Sequence, residues 1–267
     1  MNELIKILIN LFVNFFVLVV TTGVQSLVWI FKRIIEAINS SPKSFEKTTS
    51  DLPINWNKIT DDVVIFDLET TGLPKKKKIN GKEFYDDYKN NESYDTSRIV
   101  SIAWYYDDNF DNKKINYENI KEYIRKPIDF DNIPTTHIHG ISYERALNEG
   151  IEFEDILFNK DLHNNIINSD IIIGHNCLFD INILLNELYR YSFNDTLNYV
   201  EQLLLNKHYF CTAENGREIC KIMNLHTHKY KMPKLSELYY YYFMENPKNA
   251  HNASDDVLST LKILSNM

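Results

Sequence analysis

Apolar and polar positions divide the chain into short strand candidates that alternate with helical patterns. Apolar residues recur at helical spacing from about residue 178 to 191, and Val257, Leu261 and Leu264 form a second stripe. Short strands that alternate with such stripes predict an α/β fold with a partly parallel central sheet. The strand candidates are residues 63–67, 99–106, 117–124 and 171–173.

The longest apolar stretch is residues 7–31, which contains 25 residues and no charged side chain. As a helix it would extend about 37 Å, enough to cross a hydrocarbon core of about 30 Å. This predicts a single membrane-spanning helix. One alternative is a cleaved signal peptide. The other is a segment that does not cross the membrane, either a re-entrant hairpin hinged at Gly23 or a helix packed on the rest of the chain. More Lys and Arg follow the stretch than precede it, so the remainder is expected to face the cytosol.

The polarity of the following segments predicts the domain organisation. Residues 1–37 form the predicted membrane anchor, residues 38–60 a polar linker, and residues 61–267 the folded domain. Residues 74–97 are rich in charge, Asn and Lys, and we interpret them as an inserted hairpin or mobile loop between the first two strands.

Net charge limits the ways in which the protein could bind nucleic acid, and the cysteine content indicates its cellular compartment. A net charge of −8 argues against a broad electrostatic platform for nucleic acid. The run of four lysines at residues 75–78 is either a phosphate-binding loop or a solvated one. Three cysteines without Cys-x-x-Cys spacing favour a reducing, intracellular compartment. The aromatic run at residues 239–243 could stack bases, although its helical spacing favours a packed helix.

Acidic residues at the ends of the predicted elements suggest a metal centre. Asp67 and Glu69 are two positions apart at the end of the first strand, so their side chains project to the same face. Neighbouring carboxylates raise each other's pKa unless a cation lies between them, and hard oxygen ligands select Mg²⁺ or Mn²⁺. Asp180 lies in the first turn of a predicted helix, where it could also be a helix-dipole partner. His251 and Asp256 flank the start of the last helix, an arrangement that suits a general base beside a metal ligand.

In this order the residues resemble the DnaQ-like superfamily of DEDDh 3′–5′ exonucleases, which includes the proofreading epsilon subunits of bacterial replicative polymerases. The likeness covers roughly residues 61–267. It includes three further segments: Arg-Ile-Val-Ser-Ile-Ala-Trp at residues 98–104, Ile-His-Gly-Ile-Ser at 138–142, and Lys-Met-Pro-Lys-Leu-Ser-Glu-Leu-Tyr at 231–239.

The resemblance implies a ribonuclease-H-like fold, with a mixed central sheet of about five strands flanked by helices. It implies an enzyme that releases nucleoside monophosphates from the 3′ end of a nucleic acid, with DNA favoured over RNA. The alternatives are an RNA-trimming exonuclease and a membrane-tethered binding module without turnover; association with a polymerase is left open. It assigns two Mg²⁺ (or Mn²⁺) ions to Asp67, Glu69, Asp180 and Asp256, proton abstraction to His251, and contacts with the terminal nucleotide to Thr70, Thr71 and His139.

Overall fold

A computed structural model of the protein describes residues 62–79, 81–108, 110–111, 114–191, 195–248 and 251–267. The predicted membrane anchor and linker, residues 1–60, lie outside these ranges. Among the helices within them, none combines the length and the apolar character needed to span a bilayer.

Nine strands and nine α-helices make up the described part of the chain. The strands are β1 (Val63–Thr70), β2 (Lys76–Ile79), β3 (Lys82–Tyr85), β4 (Ile99–Asp107), β5 (Lys121–Ile124), β6 (Ile171–Gly174), β7 (His208–Cys211), β8 (Met223–Asn224) and β9 (Lys229–Tyr230). The α-helices are α1 (Asn91–Tyr94), α2 (Thr136–His139), α3 (Tyr143–Glu149), α4 (Leu162–Asn168), α5 (Leu178–Arg190), α6 (Asp195–Asn206), α7 (Thr212–Cys220), α8 (Leu235–Phe243) and α9 (Ala253–Leu264). A 3₁₀ turn spans Tyr117–Asn119, and a π-helical turn spans Asp155–Asn159.

A five-stranded mixed sheet forms the centre of the fold, in the order β5-β4-β1-β6-β7. β1 pairs antiparallel with β4 and parallel with β6, and β6 pairs parallel with β7. The prediction of an α/β fold with a mixed central sheet is therefore confirmed. β7 was not among the predicted strands.

β1 is buried on both faces because helices cover the sheet. α9 packs its apolar stripe, Val257 and Leu261, against Val63 and Ile65 of β1. Burial of both faces explains why the first half of this strand reads as an unbroken apolar run. The strand continues three residues beyond the predicted end, because pairing with β4 extends through Glu69 to Thr70.

Two other segments also differ in detail from their predictions. Residues 117–124 contain the 3₁₀ turn followed by only four strand residues, β5. The aromatic run forms the second half of α8, as predicted, but only one side of that helix is buried. Tyr239 is buried, whereas Tyr240 and Tyr241 are about half exposed.

A buried ionic cluster ties the sheet to α5. Glu187 is fully buried and accepts hydrogen bonds from Arg98 Nε at 2.7 Å and from the backbone N–H of Ile99 at 3.2 Å. Arg125 lies 3.5 Å from Glu187 and 2.9 Å from Asp129, and Asp129 also pairs with Arg98. The cluster therefore connects the start of β4, the end of β5 and the last turn of α5.

Candidate active site

Three of the predicted metal ligands converge at the end of the central strand. Asp67 and Glu69 project from the same face of β1, and Asp256 lies in the first turn of α9, which packs on that strand. Ligand oxygens of these three carboxylates all lie within 4.8 Å of one another. The spacing is close enough for one cation to contact all three side chains.

Asp180, in the first turn of α5, joins the cluster through a hydrogen bond with the backbone of β1. The parallel pairing between β1 and β6 ends at Ile65 and Ile173, so β1 extends beyond its neighbour. The backbone N–H of Leu68 lies past that end, and it donates a hydrogen bond to Asp180 Oδ1 at 3.1 Å. Asp180 is thereby held beside Asp67 although the two residues come from different elements.

Burial and mutual repulsion favour protonated carboxyls in this cluster. Burial, followed by the charges of Asp180, Asp256 and Glu69, raises the pKa of Asp67 well above its ordinary value. Burial likewise raises the pKa of Asp180. The pKa of Glu69 rises from 4.5 to about 8 through burial and the Asp256 charge, and that of Asp256 rises from 3.8 to about 7, chiefly through burial. A divalent cation would relieve this repulsion.

His251 lies at the open edge of the cluster. It is exposed and adopts a left-handed backbone conformation, with φ of 71°. The next residue, Asn252, caps α9 by accepting a hydrogen bond from the backbone N–H of Asp255 at 3.1 Å. A hydrogen bond from the His251 backbone to Asp256 lowers the pKa of that carboxyl, opposing the effect of burial. The turn therefore places His251 directly beside a predicted metal ligand.

Thr70 and His139, which are predicted to contact the terminal nucleotide, are linked by hydrogen bonds through Thr135 and lie next to His251. Thr135, which the sequence did not single out, donates from Oγ1 to the carbonyl of Thr70 at 2.6 Å and lies 2.9 Å from His139 Nε2. Burial lowers the pKa of His139 and the charges of His137 and His251 lower it further, whereas a hydrogen bond to the Thr70 backbone opposes them. The balance favours the neutral imidazole, and His139 lies close to both Thr70 and His251.

Thr71 is held from the β4 side. Its backbone N–H donates to the carbonyl of Arg98 at 2.9 Å, and its hydroxyl donates to the carbonyl of Thr96 at 3.1 Å. Gly72 follows, where an added Cβ would lie 2.7 Å from the Thr96 carbonyl oxygen. The turn therefore requires glycine for close approach, and its position is set by the segment that leads into β4.

A fifth carboxylate, Glu122, faces the cluster from β5. Strand register places Asp67 opposite Ala103 of β4, and Ala103 opposite Glu122. The small side chain between them leaves the acids electrostatically coupled, and the Glu122 charge raises the pKa of both Asp67 and Glu69. Glu122 also accepts a hydrogen bond from Asn252 Nδ2 at 3.3 Å. Sequence patterns could not identify it, because its position depends on the register of three strands.

Tyr85, at the end of β3, is the second residue that the sequence did not reveal. It lies against the Asp180 side of the site and hydrogen-bonds with the Asn176 side chain. Burial and the charge of Asp180 raise its pKa to about 12, so its hydroxyl is protonated at neutral pH. The inserted hairpin therefore reaches the edge of the carboxylate cluster.

Comparison with known proteins gives one family and one group of structures. A family model described as Exonuclease (RNase_T) matches residues 64–264. E. coli ExoI in complex with single-stranded DNA shares 18% identity at a TM-score of 0.53, covering 78% of this chain and 41% of that one. Exonuclease I from Methylocaldum szegediense shares 17% identity at a TM-score of 0.52, covering 75% and 39%. The chain thus spans about two fifths of these exonuclease I chains, and the likeness concerns the fold. No curated protein matches the chain by sequence.

Proposed function

Because the chain belongs to the RNase_T exonuclease family, we propose that it is a metal-dependent 3′–5′ exonuclease that releases nucleoside monophosphates from DNA. The observation that carries this proposal is the convergence of Asp67, Glu69 and Asp256 within 4.8 Å, with Asp180 and His251 beside them. An intact set of acids with an adjacent histidine favours turnover over a binding role alone.

The donor set suits hard divalent cations. Every side chain in the cluster offers carboxylate oxygen, which favours Mg²⁺ or Mn²⁺ over Zn²⁺. Asp67, Glu69, Asp180 and Asp256 would hold the ions. When bound, two such ions stabilise negative charge on the attacking and leaving oxygens of a phosphodiester.

The remaining residues supply proton transfer and positioning. His251 is exposed at the edge of the cluster, where its imidazole can take the proton of an attacking water. His139, held by Thr135, and the turn at Thr70 and Thr71 form the surface on which the terminal nucleotide would rest. DNA is the proposed substrate because the E. coli structure that shares this fold is a complex with single-stranded DNA.

Polarity and substrate are tested together with 5′-labelled oligonucleotides. We expect a ladder of progressively shorter labelled products and released nucleoside monophosphates in Mg²⁺, and no products in EDTA. A blocked 3′ hydroxyl should slow the reaction, and a circular strand should resist it. Rapid cutting of the circle would contradict exonuclease action, and faster turnover of a matched RNA strand would replace DNA with RNA as the substrate.

A further inference from the structure

The inserted hairpin carries two lysines on one of its faces. β2 and β3 pair so that Lys76 lies opposite Tyr85 and Lys78 lies opposite Glu83. Residues opposite each other in an antiparallel pair project to the same face, and the face alternates along each strand. Lys76, Lys78, Glu83 and Tyr85 therefore share one face of the ribbon, on which the lysines outnumber the single carboxylate, and Lys77 projects from the other.

The base of the hairpin is held firmly. Asp86, which directly follows β3, is buried and accepts hydrogen bonds from Ser93 Oγ at 2.7 Å and Asn90 Nδ2 at 2.8 Å. Lys77 Nζ lies 2.5 Å from the same carboxylate, and Tyr94 donates its hydroxyl to the Asp86 carbonyl at 2.8 Å. These contacts fix the direction in which the hairpin leaves the domain.

The face with Lys76 and Tyr85 is directed towards the candidate active site. Tyr85 contacts Asn176 and feels the charge of Asp180. Lys76 Nζ lies 4.8 Å from the centre of the Tyr85 ring, a cation–π distance. Lys76 therefore packs on a tyrosine whose hydroxyl lies within electrostatic reach of Asp180.

The charge of this face complements a polyanion. A strand of nucleic acid approaching the site meets several carboxylates on a chain of net charge −8. Lys76 and Lys78 are exposed, and the described residues include no ion-pair partner for either, whereas Lys77 is paired with Asp86. Ammonium groups in this position can bind phosphate oxygens and offset the repulsion.

We propose that the β2–β3 hairpin is a substrate-binding arm. Lys76 and Lys78 bind backbone phosphates of the nucleic acid strand, on the 5′ side of the nucleotide being removed, and the Tyr85 ring supports that strand beside Asp180. The inference rests on the proposed function, because it assumes that the substrate is a polynucleotide whose 3′ end lies at the carboxylate cluster. The contacts are to phosphate, so the arm binds without regard to base sequence.

Binding to a labelled oligonucleotide tests the arm directly. The probe is a 5′-fluorescein single strand with phosphorothioate linkages at its 3′ end, titrated by anisotropy in Ca²⁺ so that cleavage is slow. In the Lys76→Gln/Lys78→Gln double variant we expect binding to weaken by about tenfold or more at low salt, with the slope of log K against log [salt] reduced by about 1.4. A double variant of two exposed lysines outside the hairpin, Lys114→Gln in the connection after β4 and Lys229→Gln on β9, is the control and should bind like the wild type.

The proposal of a substrate-binding arm would be overturned if the hairpin variant bound the oligonucleotide with wild-type affinity, or if the control variant lost as much affinity as the hairpin variant. Hydrolysis of the p-nitrophenyl ester of thymidine 5′-monophosphate in Mg²⁺ separates this result from the proposed function, because the ester has no further backbone phosphates for Lys76 and Lys78 to bind. We expect the ester to be hydrolysed equally by the wild type and the hairpin variant. If the wild type bound the oligonucleotide through the hairpin but hydrolysed neither an oligonucleotide nor the ester, the proposed function would be contradicted and the substrate-binding arm would be supported.

Discussion

Asp255 and Asp256 are neighbours in the first turn of α9, but only Asp256 lies with Asp67 and Glu69. We expect Asp256→Ala to abolish Mg²⁺-dependent cleavage, because it removes an oxygen ligand on which the charge stabilisation depends. The same loss is expected for Asp67→Ala, Glu69→Ala and Asp180→Ala. Asp255→Ala is the control and should retain activity on a 5′-labelled oligonucleotide. The reverse result for the two neighbours would show that the ligand is Asp255.

The role proposed for His251 depends on its imidazole. We expect His251→Ala to lower turnover by about 10²- to 10⁴-fold, the range for loss of a general base. Mn²⁺ binding, measured by calorimetry, should be largely unchanged, because the carboxylates remain. Raising the pH should partly restore turnover by supplying hydroxide. A variant with wild-type turnover would remove His251 from the mechanism.

Protonation of the cluster makes stability depend on pH and metal. Glu69 has a pKa of about 8 in the folded protein and 4.5 ordinarily, and Asp256 about 7 against 3.8. The folded state therefore binds more protons than the unfolded state, so the stability of the metal-free protein falls as the pH rises from about 4 to about 8. We expect the Tm in EDTA to fall over this interval, and Mg²⁺ to raise the Tm more at the upper end.

Glu69→Gln is the control for this pH dependence. The amide keeps the shape of the side chain but cannot lose a proton, so the decline in Tm should become shallower. An EDTA-treated protein whose Tm rises over the same interval would contradict the raised pKa values.

The sequence alone reveals only those members of the carboxylate cluster that lie in a recognisable local pattern. Asp67 and Glu69 follow an apolar run, and Asp256 follows a helix cap, so each could be predicted with its neighbours. Glu122 and Tyr85 carry no such pattern. Their positions depend on strand pairing between distant segments and on the course of an insertion, which the order of residues does not encode locally.

At the scale of elements, the ionic cluster around Glu187 holds β4, β5 and α5 together. Removing one partner of a buried ion pair costs about 3–5 kcal/mol, and without Glu187 the half-buried Asp129 alone would face the two guanidinium groups. We expect Glu187→Ala to lower the free energy of unfolding in urea by this amount, because Arg98 and Arg125 would remain buried. Activity should fall as well, since the Arg98 backbone holds Thr71.

An exposed ion pair on α3 is the control for that measurement. Arg145 Nε lies 2.9 Å from Glu149, and both side chains are about half exposed. Glu149→Ala should cost only about 0.3–0.5 kcal/mol, as is usual for such pairs on a helix surface. Equal effects of the two substitutions would show that the Glu187 cluster contributes little to stability.

Element types were easier to predict than element ends. Long apolar runs and helical stripes identify β1, β4, β6, α5 and α9. β7 escaped prediction because four residues at the edge of the sheet show no clear period. The end of β1 was placed too early because Asp67 and Glu69 are polar, whereas hydrogen bonds to β4 continue past them.

At the scale of the whole molecule, the N-terminal segment remains a prediction. Residues 38–60 separate the apolar stretch from every predicted catalytic residue. A protein truncated to begin at residue 51 should therefore be soluble and active, whereas the full chain should pellet with membranes and resist carbonate extraction. Protease added to sealed vesicles should reach the nuclease domain only from the cytosolic side. A misfolded truncated protein would instead favour a helix packed on the enzyme.

The central position of β1 also determines when the clustered carboxylates Asp67 and Glu69 lose their alignment. Native-state hydrogen exchange is slowest in segments that open only when the whole domain unfolds, and such segments are typically central strands. β1 is bonded on both sides, and the Leu68–Asp180 hydrogen bond continues this bonding beyond the end of β6. Peripheral openings, such as separation of β8 from β9, therefore leave Asp67 and Glu69 in place. We therefore expect the backbone amides of the strand that carries this carboxylate pair to be among the last in the domain to exchange with solvent.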